Sequence, residues 1–131
     1  MDPVVHFEMP YDNRDRIAKF YSTVFGWELK MYGEEMGNYV VATTAKPGGP
    51  SRPDAAAGAI GGGFFQRKAD WPGQTPSIVI AVQDIRAAMK KVNDNGGETL
   101  GDPMTIPEVG EYVGFYDTEK NRVSLLQPLM K

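Results

Sequence analysis

The chain of 131 residues has the length of one ordinary domain and can bury roughly two-thirds of the surface its unfolded form exposes. A net charge of −3 with no basic run longer than Lys90-Lys91 argues against nucleic acid as a partner, and the absence of cysteine excludes disulfides, thiolate metal sites and thiol nucleophiles. No apolar stretch approaches the ~20 residues that cross a bilayer, and Met1-Asp2-Pro3-Val4-Val5-His6 lacks the basic and apolar regions of a signal peptide, so a cytoplasmic protein is expected.

The first element is a strand over residues 3–9. It holds the only histidine, His6, two residues before Glu8, and side chains two apart on a strand share a face. Asp12 or Asn13 can cap a helix start. Ile17, Phe20, Tyr21 and Val24 then repeat at helical spacing, and Gly26 ends the run because glycine enters the left-handed conformation cheaply. Strand-like runs follow at 27–32, 38–44 and 59–66. Between them, residues 45–58 are rich in Pro, Gly and Ala and read as a loop, either a mobile insertion or a lid. A second loop, 68–76, carries Trp71, placed to cover a cavity mouth or to pack on its own half.

The pattern then recurs. A strand over 77–82 leads to a cap at Asp84, a helical face of Ile85, Ala88, Met89 and Val92, and a stop at Gly96-Gly97. Runs at 98–105, 111–116 and 122–127 complete it, with Pro107 to Gly110 as a turn. The halves align without a gap at a constant offset: His6 falls on Ser77, Asn13 on Asp84, Ile17 on Ala88, Tyr21 on Val92 and Gly26 on Gly97. This is a duplication of strand–helix–strand–strand–strand, not a solenoid of short units. The fold class is α+β: one domain over 1–131, with modules at about 3–67 and 77–128. Two sheets carry helices on the outside and curl around a shared cup.

Several residues are candidates for chemistry. His6 and Glu8 form an acid–base pair in which the carboxylate raises and orients the imidazole, or His6 is a cavity-lining hydrogen-bonding group. Gly61-Gly62-Gly63 lacks the ending and the helix of a phosphate loop; it clears side chains from a strand, as an opening for a ligand or as a bulge. Phe64, Trp71, Tyr39, Tyr112 and Phe115 are candidates to line an apolar pocket. Phe7, Phe20, Tyr21 and Phe25 are assigned to the core.

Three blocks, HFEMP…FYSTVFGWEL, VQDIRAAMKKVNDNGG and YVGFYDTEKNRVSLLQP, resemble the vicinal oxygen chelate superfamily of glyoxalases, bleomycin-resistance proteins and extradiol dioxygenases. The resemblance spans roughly residues 4–128 and is strongest to the small glyoxalase-like proteins. It implies paired βαβββ modules, a cup-shaped cavity and often a homodimer. It also implies metal ligands on the first and last strand of each module. His6 matches one such position. The others fall on Ser77, on Ser124 and near Gly62, so the ligand set is incomplete. A divalent metal would rest on His6 and need a carboxylate such as Glu108 or Glu111 from a dimer partner. The expected function is therefore small-molecule binding in the cup without a metal or other cofactor, with Ser77, Ser124, Phe64, Tyr39, Tyr112 and Trp71 as ligand contacts. The alternative is a glyoxalase-like lyase or isomerase acting on a small oxygenated substrate through His6 and Glu8. A third reading is a module that binds another protein.

Overall fold

A computed structural model describes residues 1–45, 58–71 and 73–129, so the loop or lid expected at 45–58 lies, apart from its ends, outside the described residues. The element order is β1 (Val4–Tyr11), α1 (Arg14–Phe25), β2 (Glu28–Met31), a 3-10 turn (Glu34–Met36), β3 (Val40–Thr43), β4 (Gly61–Gln66), β5 (Ser77–Ala81), α2 (Ile85–Asp94), β6 (Glu98–Ile106), β7 (Gly110–Tyr116) and β8 (Arg122–Pro128). The fold is α+β, with βαβββ given twice, as the repeat requires. Two compact units result: His6–Pro76, and Ser77–Lys131 together with Met1–Val5.

In the His6–Pro76 unit, α1 begins where Asn13, extended at φ −131, accepts a hydrogen bond from the Arg16 amide at 2.9 Å. It ends where Gly26 turns left-handed at φ 73 and donates to the Ser22 carbonyl at 3.0 Å. The strands run in the order β2-β3-β4-β1, antiparallel except for the parallel β1–β4 pair. Alternation along β1 turns Phe7, Met9 and Tyr11 toward α1. Tyr11, Val40, Ala42 and Phe64 are buried there, with Ile17, Tyr21, Trp27 and Leu29 packed around them.

Two core assignments on α1 are corrected. Phe20 and Phe25 are 53% and 60% exposed, and Val24 is 54% exposed. Tyr21 packs inward with Ile17 and Ala18, its ring 4.7 Å from Trp27 and 5.1 Å from Phe64.

In the second unit, Asp84 caps α2 by accepting from the Ala87 amide at 3.0 Å. The helix closes at Asn95, just ahead of Gly96 at φ 95. The sheet order is β5-β8-β7-β6, with β5 and β8 parallel. Val82, Ile85, Val113, Phe115 and Leu125 form the core beneath α2. The register of β6 on β7 shifts between Leu100 and Met104, around Pro103, which has no amide to give a ladder. Among the described residues no helix is long and apolar enough to cross a membrane.

Candidate functional site

The sheet face of the His6–Pro76 unit that turns away from α1 is built by register. His6 and Glu8 stand on it by alternation. The parallel pairing of β1 with β4 sets Gly61 beside His6 and Gly63 beside Glu8. Val40 is fully buried toward the helix, so its neighbour Tyr39 falls on the opposite side. A Cβ built on Gly63 would run into the Tyr39 hydroxyl and ring; the tyrosine lies across the bare glycine backbone.

The Tyr39 hydroxyl sits between the two titratable groups. It donates to Glu8 Oε2 at 3.1 Å and lies 3.0 Å from His6 Nε2. The backbone behind it is tied down. Asn38 is left-handed at φ 57; its carbonyl accepts from the Tyr11 hydroxyl at 2.7 Å and its side-chain amide donates to Gln66 at 3.3 Å. The Tyr39 carbonyl in turn accepts from the Tyr32 amide at 2.9 Å.

The electrostatics differ from the direct pair expected from the sequence. Glu8 is 9% exposed and the phenol separates it from the imidazole. Burial disfavours the charged ring and lowers the His6 pKa below its ordinary 6.5. The net direction is opposite to the rise expected from a neighbouring carboxylate. A neutral imidazole, a phenol and a buried carboxylate thus form one chain of hydrogen bonds. Such a chain can fix a polar group of a ligand or move a proton.

The same face of the second unit carries hydroxyls. Ser124 is 1% exposed and its Oγ lies 2.7 Å from the Tyr112 hydroxyl. Val79 on β5 and Gly114 on β7 flank it. A Cβ on Gly114 would meet the Arg122 guanidinium, so Arg122 and Ser124, two apart on β8, share this face. Ser77, two before Val79, stands on it by alternation. Arg122 escaped the sequence reading, although its i, i+2 spacing to Ser124 carried the signal.

Other expectations are corrected. Phe64 is fully buried on the helix side, since Gly63 takes the opposite face and alternation leaves Phe64 no other. Phe115 is 8% exposed and belongs to the core beneath α2. Trp71, by contrast, is 52% exposed as its polar neighbours imply, with the Lys68 ammonium of its own half 4.5 Å from its ring. Gly62 faces α1, where a Cβ would strike the Phe7 ring. The position beside Glu8, matching that of Ser124 beside Val79, is Gly63.

A catalytic metal ion ordinarily takes three protein ligands. In the His6–Pro76 unit His6 and Glu8 are joined through a phenol, and the β4 positions beside them are glycines. Among the described residues no group of three His, Asp or Glu side chains converges. The equivalent face of the second unit presents two serines and a guanidinium cation. This donor set does not fit a divalent metal.

Comparison with known proteins agrees with the architecture. A glyoxylase-like domain-containing protein of Didymella fabae is 30% identical over 115 residues, spanning 87% of this chain and 84% of the relative. Among solved structures, methylmalonyl-CoA epimerase from Mycobacterium tuberculosis superposes with a TM-score of 0.69 at 12% identity, covering 97% of this chain and 88% of that one. A Glyoxalase/bleomycin resistance protein/dioxygenase superfamily member from Vibrio splendidus gives 0.60 at 15% identity, with 97% and 99% covered. The family model of the Glyoxalase/Bleomycin resistance protein/Dioxygenase superfamily matches residues 4–125, and the chain belongs to that superfamily.

Proposed function

We propose that this protein binds a small organic molecule on the face of its first βαβββ unit that turns away from α1, without a metal, using His6, Glu8 and Tyr39 as polar anchors. The observation that carries the reading is the Tyr39 hydroxyl held between His6 Nε2 and Glu8 Oε2 over a glycine backbone. A small-molecule site needs a few well-placed polar groups, and the Tyr39 hydroxyl with its two partners supplies them. Ser77, Ser124, Tyr112 and Arg122 are the corresponding contacts of the second unit. The exposed apolar side chains Phe20, Val24 and Phe25 on α1 support a homodimer, to be checked by sedimentation.

One observation favours a second reading, an isomerase or lyase acting on a small oxygenated substrate. Moving a proton on a carbon next to a carbonyl takes a base that is neutral near pH 7 and a second group to return the proton. The imidazole, shifted below its ordinary pKa by burial, and the Tyr39–Glu8 pair supply those two groups. A solved neighbour of the same fold is an epimerase, which is compatible with that chemistry.

The test is a metabolite panel scored by thermal shift in excess chelator. A hit that raises Tm in the native protein and leaves His6→Ala unmoved supports the reading. A panel without hits, or hits indifferent to His6, Glu8 and Tyr39, counts against it.

A further inference from the structure

We propose that Gly63 is a positioning residue for His6: by carrying no Cβ it seats the Tyr39 hydroxyl between His6 and Glu8, and so makes His6 Nδ1 an acceptor for a ligand's O–H, N–H or acidic C–H. The inference rests on the reading of His6 as a ligand-facing group and names the chemistry that group would recognise.

The Tyr39 hydroxyl has a single proton and spends it on Glu8 Oε2, at 3.1 Å. The phenol oxygen, 3.0 Å from His6 Nε2, is then left to accept. Nε2 must therefore carry the hydrogen, and in a neutral imidazole the lone pair falls on Nδ1. A ligand meeting that nitrogen is selected for a donor, and a bare carboxylate or phosphate oxygen is disfavoured.

The geometry depends on Gly63. Its neighbour across the parallel pair is Glu8 and across the antiparallel pair is Val41, so the glycine stands between the strand carrying His6 and Glu8 and the strand that follows Tyr39. A Cβ there would overlap the Tyr39 hydroxyl and two of its ring carbons. Gly63 does not have the positive φ seen elsewhere in the chain. Its backbone suits any residue, and the demand for glycine is purely steric.

The experiment exploits the single histidine, whose two ring nitrogens can be read by 15N NMR in ligand-free protein without ambiguity. The native chain is expected to show the hydrogen on Nε2. Tyr39→Phe removes the acceptor and mixes the tautomers. Gly63→Ala does the same although the hydroxyl is still present, because the ring must move. Steric conflict adds a second signature: Tyr39→Ala should lower Tm in the native background and raise it in the Gly63→Ala background. A native tautomer in Gly63→Ala overturns the proposal. So does a Gly63→Ala chain, folded or not, that Tyr39→Ala fails to stabilise. A failed ligand screen beside an intact tautomer pattern overturns the functional reading alone.

Discussion

Tyr39 joins His6 and Glu8 through its hydroxyl. Tyr39→Phe keeps the ring over Gly63 and deletes only the hydroxyl, leaving Glu8, 9% exposed, short of one donor. A loss of about 1–2 kcal/mol in stability is expected, read as a lower urea midpoint with an unchanged slope; an unchanged midpoint would mean that the bridge contributes nothing. His6 gives a second prediction at this scale. Burial holds its pKa below the ordinary 6.5, so as pH falls the unfolded chain takes up the proton first. Its contribution therefore costs nothing above the unfolded value and becomes a penalty as pH drops toward the folded midpoint. NMR titration should place that midpoint below 6.5, and His6→Gln should flatten this part of the stability–pH curve. A midpoint above 6.5 would contradict the burial argument. At this scale the alternation of His6 and Glu8 was legible, because period 2 is local. Tyr39 as their connector was not: its placement depends on β3 pairing with β4 across a long intervening segment, and no local pattern encodes that register.

Elements were far more legible than side-chain roles. Asn13, Gly26 and Asp84 act where cap chemistry puts them, since a cap is satisfied within a few residues of itself. The 3-10 turn Glu34–Met36 was not foreseen; its three residues are too few to show a period. Helical spacing correctly gave Ile17 and Tyr21 as the buried side of α1. It overreached at Phe20 and Val24, because the spacing cannot say how wide a stripe of the helix is covered. A paired measurement follows. Phe64→Ala empties a fully buried site and should cost about 3–5 kcal/mol. Phe20→Ala, at a side chain 53% exposed, should stay within about 0.5 kcal/mol. Comparable losses would mean that the outer face of α1 is covered in solution. Asn13→Ala and Asp84→Ala should each cost about 1 kcal/mol, and a loss at only one of them would mean that the two modules do not share their capping.

For the molecule as a whole, duplication set the plan and divergence set the chemistry. The two units keep the same order of elements and the same parallel pairing of first and last strands, yet the positions beside those pairs now hold histidine, glutamate and glycines in one unit and serines with an arginine in the other. The constant offset made the plan readable from the sequence alone. Which of Gly62 and Gly63 stands beside Glu8 only the register resolves. In the proposed function, ligand recognition depends on hydrogen-bonding side chains and not on a bound ion. The most direct test is a calorimetric isotherm for a panel hit, measured in excess chelator and again after saturation with nickel and desalting. The account predicts one and the same Kd in both, lost in His6→Ala; binding confined to the nickel-loaded protein would contradict it.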